Sequence, residues 1–98
     1  MSDLVKKDQW VWAIVQEPGK DESFLGQYDI EKEIYFIPVF RNNEEAADCL
    51  NYLIKDESKS YEAQAVLYEE LCESAIKNKF MVFILNGSGE VLEKNLYD

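Results

Sequence analysis

Few residues in this chain are equipped for chemistry. Two cysteines, Cys49 and Cys72, stand among 98 residues that include no histidine. The commonest general base and metal ligand is therefore missing, and Ser-His-Asp and Cys-His nucleophile systems are excluded outright. Both cysteines fall on the apolar stripes of expected helices, where free thiols are usually buried. A redox pair between adjacent helices stays open, but there is no Cys-x-x-Cys, and two lone cysteines cannot hold zinc without further ligands. Carboxylates crowd three places: Asp21 with Glu22, Asp29 with Glu31 and Glu33, and Glu69 with Glu70 and Glu73. None has the ligand spacing of a calcium loop, so a solvated acidic face is expected at each. The stretches GKDES at 19–23 and NGSGE at 86–90 lack the spacing of a phosphate loop. The second reads as a hairpin turn. These residues give no catalytic, cofactor-binding or metal-ligating assignment, and the chain is expected not to be an enzyme.

What remains is apolar and aromatic surface. Trp10 and Trp12 stand two apart, so on a strand they share a face with Ile14. That row reads either as a binding platform or as core, and a small domain gains much area from a buried indole. Charge narrows the partners. The chain has 20 acidic and 10 basic residues and a net charge of -10, which repels phosphate backbones and anionic membrane surfaces alike. No nucleic acid and no membrane is therefore expected as partner. No run approaches the roughly 18 apolar residues of a membrane span. The opening residues do not resemble a secretory signal, and two unpaired cysteines fit a reducing cytoplasm.

The elements that would position these residues form one small domain over 1–98. Residues 9–16 read as a strand rich in Trp and Val, and 17–23 as an exposed loop around Pro18-Gly19. Residues 24–30 form a weaker strand with a bulge at Gly26, turning at Glu31-Lys32 into the apolar strand 33–40. Pro38 cannot donate to a ladder, so this strand is an edge there, or its pairing ends there. Asn42 and Glu45 make a capping box for a first helix, with Ala46, Cys49, Leu50 and Leu53 inward. After a linker at 55–60, Ser60 caps a second helix with Tyr61, Ala65, Tyr68, Leu71, Cys72 and Ala75 as its stripe, and Asn78 takes the left-handed stop. Residues 80–85 and 90–93 are the last two strands, and the chain ends 1–8 and from Lys94 are read as loose. The order β-β-β-α-α-β-β implies an α+β fold, a mostly antiparallel sheet with a helical pair packed on it.

Three of these strands are apolar on both faces, unlike a sheet with one wet side. If both helices lie on one face, the other is an uncovered apolar patch. A homodimer or an obligate protein partner is then expected there, with Trp10, Trp12, Ile14, Tyr35 and Phe83 as candidate interface residues. If one helix lies on each face, nothing is left to cover.

The stretches WVWAIVQEPGKDESFLGQ and YFIPVFRNNEEA are similar to the N-terminal domain of the enhanced-serine-sensitivity (SseB) protein family. The matching residues are Ile37, Pro38, Val39, Phe40, Glu44, Glu45 and Ala46, where a strand ending in Pro-Val-Phe precedes a helix opening on paired acids. The resemblance covers about half the chain. It implies a bacterial α+β domain and carries no catalytic residue over. The function expected is a non-catalytic protein-interaction module. An acidic immunity or inhibitor protein against a basic partner is a special case. The alternative is a small-molecule-binding protein or enzyme using carboxylates and the tyrosines Tyr28, Tyr35 and Tyr68.

Overall fold

A computed structural model describes residues 5–95. Its organising strand is β1 (Trp10–Gln16), every second residue of which enters one of two core layers. One edge of β1 pairs along its whole length with β5 (Tyr61–Leu67). Its other edge is shared. Trp12 and Ala13 stand opposite Phe40 and Val39 of β4 (Ile34–Phe40), and Val15 and Gln16 opposite Phe24 and Ser23 of β2 (Ser23–Phe24). Here β1 and β4 splay apart, and β2 with β3 (Gln27–Asp29) fills the wedge, β3 forming a hairpin with β4. Beyond β4 lie β6 (Met81–Leu85), paired parallel, and β7 (Val91–Asn95), paired antiparallel. The expected α+β class with a mostly antiparallel sheet is the one observed.

Helix α1 (Asn43–Cys49) starts where the sequence marks it, with Asn42 Oδ1 accepting from the Glu45 N–H at 2.9 Å. The Glu45 carboxylate turns to Arg41 instead of completing the box, in a two-pronged contact of 2.8 and 3.2 Å. That charge-assisted hydrogen bond holds the Glu45 carboxyl below its usual range. A 3-10 turn over Leu50–Tyr52 follows.

Residues 61–67, read from sequence as the start of the second helix, form β5 instead. Their helical spacing is overridden by β1, whose long open edge offers a complete ladder. Helix α2 is therefore only Tyr68–Lys77, and Ser60 is no cap: Leu67 holds the N-cap position without a side-chain bond. At the other end Lys79, not Asn78, takes the left-handed conformation, with φ 63°. Lys79 N–H donates to Ile76 O and Phe80 N–H to Ala75 O, the paired bonds of a Schellman stop.

Other expectations shift as well. Pro38 is buried mid-sheet, opposite Phe83 of β6. On the other side it falls between the last β3 partner, Phe36, and the first β1 partner, Val39, so a residue without a donor sits where the ladder changes partners. Residues 5–8 are not loose, since Val5 is buried in the core. Residues 1–4 and 96–98 lie outside the described ones. Lys94 belongs to β7, its ammonium 5.4 Å from the Phe83 ring centroid.

The two helices take opposite faces of the sheet. α2 packs Leu71, Cys72 and Ala75 on Val11, Ala13, Val39, Val82 and Ile84. α1 and the 3-10 turn pack Ala46, Cys49, Leu50 and Leu53 on Ile14, Phe40, Phe83 and Leu85. The Gln27 side chain clasps the segment behind that turn, donating to Ile54 O at 2.9 Å and accepting from Ile54 N–H at 3.0 Å.

Candidate binding groove

Ten residues of α2 are too few to roof the whole of their face. Beyond its C-terminal end the sheet lies open as a cleft of about 700 Å³, within the usual size range of ligand sites. Its floor is apolar: Val15 from β1, Ile37 from β4, Val66 from β5 and Phe24 from β2, with Phe80 beside them. The Schellman stop delivers Phe80 here, because the reversal after Lys79 throws the next side chain back toward the helix. Gly26 makes room for it. A Cβ at that position would collide with the Phe80 ring, which lies directly over the glycine backbone.

An exposed aromatic row leads away from the cleft. Tyr28 and Tyr35, partners across the β3–β4 hairpin, have ring centroids 4.7 Å apart, and Tyr35 and Phe80 are 5.7 Å apart. These tilted contacts favour the row's fixed geometry, yet Tyr28 and Tyr35 remain 46% and 55% exposed.

The rim is polar and largely satisfied within itself. Gln16 Nε2 donates to Ser23 Oγ at 2.8 Å, Gln64 Nε2 to Glu62 Oε2 at 2.9 Å, and Asn78 Nδ2 to Ser74 O at 2.8 Å. The titratable side chains in the lining are Glu22 and Tyr35. What the cleft offers is apolar contact, aromatic faces and a polar rim with one carboxylate in the lining, Glu22.

The five candidate interface residues are scattered by the fold. Tyr35 lines the cleft. Ile14 and Phe83 are fully buried beneath α1 and Trp12 is half-buried there, so these three belong to the chain's own core. Trp10 is 58% exposed at the outer end of β1. Sequence reasoning missed Phe24, Gly26, Val66 and Phe80. Strand parity alone places Tyr35, Ile37, Phe80 and Val82 on one face, but the cleft follows from the shortness of α2, which β5 conceals in the sequence.

The two cysteines sit in different layers, Cys72 under α2 and Cys49 under α1, with the sheet between them. Burial pushes the Cys49 thiol up, away from thiolate. The acidic clusters serve other ends. Asp29 Oδ1 accepts from the N–H groups of Glu31 and Lys32, shaping the β3–β4 turn, while Glu69, Glu70 and Glu73 face outward. Among the described residues no group of three His, Cys, Asp or Glu side chains is placed to hold a metal ion. The NGSG stretch is the β6–β7 turn: Asn86 Oδ1 accepts from Ser88 and Glu90 N–H, so those donors are already used. Among the described residues no helix is long and apolar enough to cross a membrane. Comparisons with protein-family models, curated proteins and solved structures gave no match.

Proposed function

We propose that this chain is a non-catalytic interaction module of the bacterial cytoplasm, which seats an apolar anchor from a basic partner protein in the groove beyond α2. The observation that carries this reading is the exposed row Tyr28–Tyr35–Phe80 running into an apolar floor. Aromatic residues with a fixed geometry and a polar rim are the usual makings of a binding hot spot. The partner's sign follows from the net charge of -10, which speeds encounter with a basic surface and repels an acidic one. An immunity or inhibitor role is one form of this reading. Affinity capture from native lysate, run with the wild type and with Tyr35→Asp, tests it. Support is a stoichiometric basic partner held by the first and lost by the second, with both variants folded. No such partner, or equal capture by both, overturns it. Thermal stabilisation by a metabolite in the absence of any partner would favour the alternative, small-molecule binding in the same cleft, whose volume falls in the usual range for such sites.

A further inference from the structure

β5 is an edge strand, and its backbone shows which groups are free. It pairs with β1 from Tyr61 to Leu67, and among the described residues no strand pairs with its other side. Two bonds flank this ladder in the same register: Tyr68 N–H donates to Gln9 O at 3.0 Å, and Glu17 N–H to Ser60 O at 2.9 Å. Bonded pairs alternate with unbonded ones in an antiparallel ladder. The even-numbered residues Glu62, Gln64 and Val66 therefore bond to β1. Tyr61, Ala63, Ala65 and Leu67 aim their N–H and C=O groups outward.

Natural sheets blunt such an edge with lysine, proline or a bulge. The opposite edge strand, β7, carries Lys94 and a register shift beside Leu85. β5 has no lysine, no proline and an unbroken register. Its two central outward positions are alanines, so no bulky side chain crowds an incoming strand. What β5 has instead is charge. Asp56, Glu57, Glu62, Glu69 and Glu70 flank or lie on it, against Lys55 and Lys59 in the chain and Lys7, whose carbonyl accepts from the Glu69 N–H, so acids still outnumber bases. Two copies, each at -10, would repel one another on bringing these edges together. The same charge attracts a strand of opposite sign.

We infer that β5 is a strand-addition site that takes an extended, lysine- or arginine-rich segment of another protein. The backbone groups at 61, 63, 65 and 67 supply the bonds, and the surrounding carboxylates supply the selection. This surface lies in the plane of the sheet: β5 also lends the side chains of Gln64 and Val66 to the groove, but those lie on the sheet face, whereas the outward backbone groups belong to 61, 63, 65 and 67.

The test uses 15N-labelled full chain with a short peptide of alternating lysine and threonine, and an otherwise equal peptide of glutamate and threonine. The lysine peptide is expected to shift the amides of Tyr61, Ala63, Ala65 and Leu67 and to slow their hydrogen exchange. The glutamate peptide should do neither. Ala65→Pro deletes one outward N–H and spares the β1 ladder, so it should keep the native spectrum and lose about tenfold or more in affinity. If that variant does not fold, Ala65→Lys gives the second reading by adding the missing guard charge, with the same expected loss. Tyr35→Asp should leave peptide affinity unchanged, which separates the edge from the groove. The inference is overturned by absence of binding, by equal binding of the two peptides, or by undiminished binding to the position-65 variant. It is also overturned by shifts confined to Tyr28, Tyr35 and Phe80, or by self-association through β5 in the absence of peptide.

Discussion

Leu71→Ala probes whether α2, short as it is, holds its face of the sheet together. Leu71 is fully buried, packed with Val11, Val39, Val82 and Ile84 beneath the helix. The change removes three carbons, and at about 0.8 kcal/mol per buried methylene the lost transfer free energy is about 2.4 kcal/mol. A residual cavity adds to this, in proportion to how little the surroundings collapse. Collapse is partial here, because the C-terminal end of α2 borders the open groove and can settle, while the strands beneath are fixed by their ladders. A slightly better helix propensity for alanine offsets a few tenths of a kcal/mol. The expected loss is about 2.5–3.5 kcal/mol, measured by urea denaturation with an unchanged m-value. In thermal melts it corresponds to a fall of roughly 10–25 °C for a domain of this size. The control is Ile76→Ala on the same helix, where the side chain is 53% exposed and the expected loss is under about 0.5 kcal/mol. Equal losses for the two variants would refute the placement of α2 on this layer.

Gly26→Ala forces a Cβ against the Phe80 ring. It should cost about 1–3 kcal/mol in urea melts and displace the Phe80 ring resonances, whereas a silent substitution would mean the ring does not lie over Gly26. Gln27→Leu removes both bonds to the Ile54 backbone. About 1 kcal/mol of stability and faster exchange of the Ile54 amide are expected, and unchanged exchange would rule out the clasp. Because the Arg41 contact depresses the folded-state Glu45 pKa, its contribution is present above the ordinary carboxylate value and lost as pH falls through the depressed one. The wild type should therefore melt above Glu45→Gln at neutral pH, and the gap should close progressively as pH falls below the ordinary carboxylate value of about 4.3; a gap that persists undiminished in strong acid would contradict this linkage.

The sequence by itself determined the parts that depend on neighbours along the chain. Asn42 caps α1 because a side-chain oxygen three residues before an amide needs only local geometry. The β3–β4 hairpin, the β6–β7 turn at 86–89 and the runs of β1, β4 and β6 were legible for the same reason, as were the charge and the absence of histidine chemistry. Doubly apolar strands signalled that both faces of the sheet are covered, but not by what. Tertiary structure decided the rest. Residues 61–67 carry helical spacing, yet Tyr61, Ala63, Ala65 and Leu67 also share one face of a strand, and only the open edge of β1 selects the second pattern. That choice shortens α2 and uncovers the groove. It also leaves the outer edge of β5 without a neighbouring strand among the described residues. The same packing sends Ile14 and Phe83 into the core under α1 and leaves Tyr35 at the surface, because which face a helix covers depends on how strands meet across the sheet, and no local spacing encodes that.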